Sequence, residues 1–100
     1  MATRDVLVEA TLTDSDGNPL EGKTINFYHK LSSETTYSSD GSATTDANGK
    51  ASITLTLDVP NTYDFKAEFP GDENYESSSA ELTNQTIKAK TTLSLTVTPQ

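Results

Sequence analysis

A chain of 100 residues with no cysteine has room for one domain with one modest core, and it excludes disulfide frameworks, thiolate metal sites and cysteine nucleophiles. With 15 acidic against 7 basic residues the formal charge is -8, which repels phosphate backbones and anionic membrane surfaces and argues against nucleic acid as a partner. Hydrophobic residues make up only 32% of the chain, Trp is absent, and no apolar run approaches the roughly 20 residues of a membrane span.

The opening "MATRDV" lacks the apolar core of a secretory leader, so the chain reads either as complete or as a piece of a longer protein with targeting signals elsewhere, and we expect the latter. From Val6 the period is two. Val6, Val8, Ala10 and Leu12 share one face, while Glu9, Thr11 and Thr13 take the other with Leu7 as the apolar intruder, the pattern of a half-buried strand.

In "DSDGNPLEG", Asp14, Asp16 and Asn18 recur at alternate positions as the first ligands of a calcium loop would. An EF-hand loop also needs Gly at its sixth position and a bidentate Glu at its twelfth. Counting from Asp14, those places hold Pro19 and Ile25, so an Asx-rich chain reversal is the expectation.

Ile25 and Phe27 share a face in "KTINFYHK", with Asn26 and Tyr28 opposite, giving a shorter strand. His29 is the sole histidine, without a second nitrogen or sulfur ligand or a nucleophile elbow, and is expected to cap the end of this strand. "SSDGS" and "DANGK" follow as turns, the second containing the Asn48-Gly49 dipeptide suited to a tight hairpin.

Ala51, Ile53, Leu55 and Leu57 alternate with Ser52, Thr54 and Thr56, the cleanest strand of the chain. After "DVPN", Tyr63, Phe65, Ala67 and Phe69 point inward against Asp64, Lys66 and Glu68. "FPGDEN" turns the chain, and Tyr75 is expected to lay its ring over the end of the domain and direct its hydroxyl to nearby backbone. Two further strand-like stretches close the sequence: Ala80 to Ile87, poorly patterned, and Thr92 to Thr98, where Leu93, Leu95 and Val97 alternate with hydroxyl residues. Asn84-Gln85-Thr86 is an acceptor sequon for N-linked glycan.

Nowhere do apolar residues recur three and four apart over helical length, and Thr is abundant, so the chain is all-β. Several antiparallel strands with one wet face each are best buried as two sheets packed face to face.

"GNPLEGKTINFY", then "GSATTDANGKASITLTL", then "YDFKAEFPGDENYESSSA" resembles, in this order and spacing, the immunoglobulin-like repeats of bacterial and archaeal surface proteins, the kind found in invasin and intimin stalks. The likeness covers nearly all of residues 6–87. It implies an immunoglobulin-like Greek-key β-sandwich of about seven strands, extracellular, non-enzymatic and without cofactor. Such repeats open with a strand of the type "TTLSLTVTP", which here stands at the end. The expected division is therefore a sandwich repeat over residues 1–90 and a strand-like tail over 91–100. That tail is either the first strand of a following repeat or an added edge strand, docked or frayed. One period of a tandem array is implied, with neighbouring repeats of the same chain as partners, no direct membrane insertion, and a monomer in isolation.

The structural residues expected are Val8, Leu12, Ile25, Phe27, Ile53, Leu55, Phe65 and Phe69 in the core, with Gly17, Gly49 and Gly71 at turns. No catalytic residue is assigned, and the function read is that of a spacer. A binding module is the alternative, recognising a receptor, carbohydrate or neighbouring subunit through its loops or through a sheet face carrying Tyr28 and Tyr37. Scattered tyrosines favour the spacer, clustered ones a site. Greek-key alternation also allows Asp14, Asp16, Glu21, Asp46, Asp72 and Glu73 to converge at one end as a calcium site.

Overall fold

The computed structural model describes residues 2–99 and contains six strands, with no helix among the described residues. The strands are β1 (Ala2–Thr11), β2 (Thr24–Leu31), β3 (Ser38–Thr44), β4 (Lys50–Val59), β5 (Asn61–Phe69) and β6 (Ser78–Ile87). They form two antiparallel sheets, β1-β4 and β3-β2-β5-β6. The sandwich is thus one strand short of the seven or so expected, and its layers are unequal in width.

Alternation along the strands decides what is buried. Ile25, Phe27, Phe69, Leu12 and Ala51 form one buried cluster, and Leu57, Tyr63 and Phe65 a second, with Val8 packed against both. Phe27 is the best-buried large side chain, 1% exposed. Of the expected core residues, Val8, Ile53 and Leu55 are only half-buried. They sit on the two-stranded layer, which lacks flanking strands to shield them.

The reversal after β1 is a small hairpin-like loop. Thr13 bridges Pro19, the Asp14 N–H donates to the Asn18 carbonyl at 2.9 Å, and the Leu20 N–H donates to the Leu12 carbonyl at 3.1 Å. "DANGK" is not the hairpin its Asn-Gly dipeptide suggests. It carries the chain from β3 in one sheet to β4 in the other, and only Gly49 of the pair has positive φ, +75°. Glycine is required there for a second reason: a Cβ would strike the Leu12 carbonyl oxygen and lie 3.1 Å from the Pro19 side chain. Close backbone approach at this crossing holds the first loop to the third, and the Leu12 N–H donates to the Gly49 carbonyl at 2.8 Å.

Thr45 is buried beside it with both hydroxyl roles filled, donating to the Leu20 carbonyl at 2.6 Å and accepting from the Lys23 N–H at 2.9 Å. "SSDGS", read as a turn, is instead the body of β3, an edge strand whose polar residues leave no alternating signal.

Residues 88–99 form no strand and extend away from the sandwich as an arm. Leu93, Leu95 and Val97 are 96%, 89% and 84% exposed. The radius of gyration, 18.1 Å, far exceeds the roughly 13 Å of a compact chain of this length, which reflects that arm.

Candidate functional site

The outer face of the four-stranded sheet carries the densest set of interacting polar and aromatic side chains. Antiparallel register sets Tyr28 of β2 opposite Lys66 of β5, and Lys30 opposite Asp64. These residues lie on the strand faces turned away from Phe27 and Phe65, so each side chain emerges on the solvent side.

Asp64 anchors the group. It is buried although its position in the alternation is outward, because three donors close over it. Lys30 Nζ reaches Oδ2 at 2.7 Å, Ser32 Oγ donates to Oδ1 at 2.6 Å, and the Asn84 N–H donates to Oδ1 at 2.9 Å. A bulge provides the last donor. Tyr63 pairs with Gln85 but Phe65 with Leu82, so β6 spends an extra residue there, and Asn84 adopts φ +57° with its N–H on the carboxylate. The Lys30 hydrogen bond, then those from Ser32 and Asn84, lower the Asp64 pKa from 3.8 to about 2.

Around this anchor the tyrosines are clustered. Lys66 Nζ lies 5.7 Å from the Tyr28 ring centroid and 5.8 Å from that of Tyr37, while Lys30 Nζ lies 5.3 Å from Tyr37. The Tyr37 hydroxyl donates to Glu81 at 3.0 Å. Partial desolvation, with help from the Glu81 bond, raises its pKa above the usual 10.0. Sequence reasoning named Tyr28 and Tyr37 but missed Asp64 and Lys66, which read only as the wet half of an alternating pattern, and Lys30 and Glu81, which were assigned no face. Strand register was the missing signal.

His29 lies on the opposite face and is not a strand cap, since β2 continues to Leu31. Its Nδ1–H donates to both Asp40 oxygens, at 2.7 and 2.8 Å, and its ring stands 6.0 Å from Tyr63. The β2-β3 register jumps from Phe27-Gly41 to Tyr28-Ser39, leaving Asp40 as the bulged residue that meets the imidazole. Among the described residues, no hydroxyl or second nitrogen hydrogen-bonds to His29.

The acidic loops do share one end of the domain, but each carboxylate serves its own loop. Asp14 Oδ1 accepts the N–H groups of Asp16 and Asn18, Asp46 Oδ1 those of Asn48 and Lys50, and Asp72 Oδ1 those of Asn74 and Tyr75. Asp72 also pairs with Lys23 at 2.6 Å. These bonds lower the pKa of all three, the Asn18 N–H leading at Asp14, the Lys50 N–H at Asp46 and the Lys23 ammonium at Asp72. Asp16, Glu21 and Glu73 do not join them: among the described residues, no three His, Asp or Glu side chains gather closely enough to hold a metal. The "DSDGNPLEG" stretch is a chain reversal. Tyr75 packs against the core with Lys23 Nζ 5.1 Å over its ring, and the hydrogen bonds at this corner run through its backbone to Asp72 rather than through its hydroxyl. Asn84 of the sequon is exposed.

Residues 3–83 match the family model described as "Bacterial Ig-like domain (group 1)". This chain is a bacterial Ig-like domain. It is 41% identical over 58 residues to the inverse autotransporter adhesin YeeJ of Escherichia coli (strain K12), a match covering 56% of this chain and 2% of the adhesin. No solved structure matches the Ig-like domain. The resemblance read from "GNPLEGKTINFY" and its companion segments, and the all-β sandwich it implied, are borne out.

Proposed function

We propose that this Ig-like domain is a non-enzymatic structural repeat of an adhesin-like cell-surface protein, holding other parts of that protein away from the envelope. The observation that carries the reading is how the polar groups are used. Asp14, Asp46 and Asp72 cap their own loops, and His29 is held by Asp40, so the titratable groups that suggested chemistry act as structural bonds. Membership of the Ig-like family and likeness to a segment of an autotransporter adhesin support a surface location.

An adhesive role is the second reading, favoured by one observation: Tyr28 and Tyr37 flank the same Lys66 ammonium instead of standing apart. Rigid aromatic rings beside a cation are the common anchors of a binding surface. Immobilising the domain and passing host-matrix proteins and surface glycans over it separates the two. A spacer gives no saturable binding. Saturable binding abolished by Tyr28→Ala or Lys66→Ala replaces the spacer reading with the adhesive one.

A further inference from the structure

We propose that the outer face of the four-stranded sheet binds a neutral, unbranched hexopyranose chain laid across the strands, which presupposes the adhesive reading of Tyr28, Tyr37 and Lys66 and gives that surface its ligand.

Ser39 of β3 pairs with Tyr28 of β2, Tyr28 with Lys66 of β5, and Lys66 with Glu81 of β6, so a hydroxyl, an aromatic ring, an ammonium and a carboxylate stand in one row on the solvent side. The row crosses all four strands, about 14 Å at roughly 4.8 Å per strand spacing. A second row runs beside it, with Ser42, Asn26, Glu68 and Ser79 paired in the same way. Neither row contains an apolar aliphatic residue. The centre of a stable protein–protein interface is apolar, whereas the apolar surface here is the Tyr28 ring, with the Tyr37 ring near the same lysine. A sugar chain has the matching chemistry: C–H faces that lie against aromatic rings, and hydroxyls that need both donors and acceptors.

The polar groups of the first row have capacity to spare. Among the described residues Lys66 makes no ion pair and no side-chain hydrogen bond, which leaves its ammonium protons free to donate. Glu81 is its direct cross-strand neighbour, yet the Glu81 carboxylate turns to the Tyr37 hydroxyl through Oε2 and keeps Oε1 to accept. A donor and an acceptor on adjacent strands suit two neighbouring sugar hydroxyls, one accepting from Lys66 and the other donating to Glu81. The same Tyr37 bond fixes that ring beside the row, so Lys66 Nζ is flanked by ring surface at 5.7 Å from the Tyr28 centroid and 5.8 Å from that of Tyr37.

Charge selects a neutral sugar over an acidic one. Lys30 is taken up by Asp64 at 2.7 Å, and the two rows set Lys66 alone against Glu68 and Glu81 on a chain of net charge -8. The carboxylate of a uronic acid would meet an excess of like charge.

Titrating the nitrogen-15-labelled chain with cellohexaose and with maltohexaose, and following its amide shifts, tests this. At least one of the two gives saturable shifts at Tyr28, Lys66 and Glu81, with an affinity that is unchanged on raising salt to about 0.5 M. Tyr28→Ala weakens that binding about tenfold, and Tyr28→Phe, which keeps the ring, restores most of it. Glu81→Ala, at an exposed position where truncation leaves the core untouched, also weakens it. No saturable shift with either hexasaccharide, shifts confined to other parts of the domain, binding that survives both alanine variants, or tighter and salt-sensitive binding of hexagalacturonate overturns the proposal. If both hexasaccharides fail while a matrix protein is held through Tyr28, the sugar is wrong and the adhesive surface stands; if nothing is held, both fall.

Discussion

Gly49 and Asp64 show how single residues hold this sandwich through backbone rather than bulk. At Gly49 two demands coincide, a left-handed φ and a carbonyl that occupies the space of any Cβ. Gly49→Ala is therefore expected to cost on the order of 1 to 3 kcal/mol, read as a lowered denaturant midpoint with an unchanged slope. Gly17, also at positive φ but with open space around it, bounds the purely conformational part of that cost if substituted in parallel. Asp64 works through charge. Its folded pKa of about 2 lies below the ordinary 3.8, so the ionised form contributes stability that is complete above about pH 4 and is lost as pH falls toward 2. Asp14, Asp46 and Asp72 shift in the same direction and add to the acid sensitivity. Replacing Asp64 with Asn leaves the half-buried Lys30 ammonium without its counter-charge. Thermal melts of this variant are expected to show a lower melting temperature at pH 7 and a smaller further fall between pH 4 and pH 2 than the parent chain.

Elements differed in how plainly the sequence announced them, and the reason is which side of each strand meets oil. β1, β4 and β5 each have one face on the core, so period-two alternation placed Val8, Leu55 and Phe65 on the correct side. β3 meets little apolar surface and is built from Ser, Asp, Gly, Ala and Thr; its strand nature lies in its pairing with β2, which no local pattern encodes. The bulges at Asp40 and Asn84 escaped for the same reason. A bulge is a property of two strands in register, and only when β2, β3, β5 and β6 are laid side by side do His29 meet Asp40 and Lys30 meet Asp64. The converse case is the arm, where perfect alternation over Thr92 to Thr98 yields no strand within the single chain. Alternation reports that a segment has an apolar side, and pairing needs an edge within reach. Of the candidate site, then, the tyrosines were legible as exposed aromatics, while the lysines and carboxylates that organise them were not.

For the whole molecule, the placement of the two strand ends governs how it bears load. The start of β1 and the end of β6 lie together, so force applied between them peels β1 from β4 and β6 from β5 one hydrogen bond at a time. Force applied instead between the loop at Asp16 and Lys88 runs along the long axis and shears β2 against the strands beside it, loading many ladder bonds at once. Stretching single molecules held by cysteines introduced at positions 2 and 88 is expected to give one cooperative opening at low force, releasing about 300 Å of chain at roughly 3.4 Å per residue. Handles at positions 16 and 88 are expected to give a higher opening force and a shorter release. Equal forces in the two geometries would mean that the core, rather than the ladder, sets the mechanical barrier, and a multistep release in the first would mean that the two sheets do not unfold as one body.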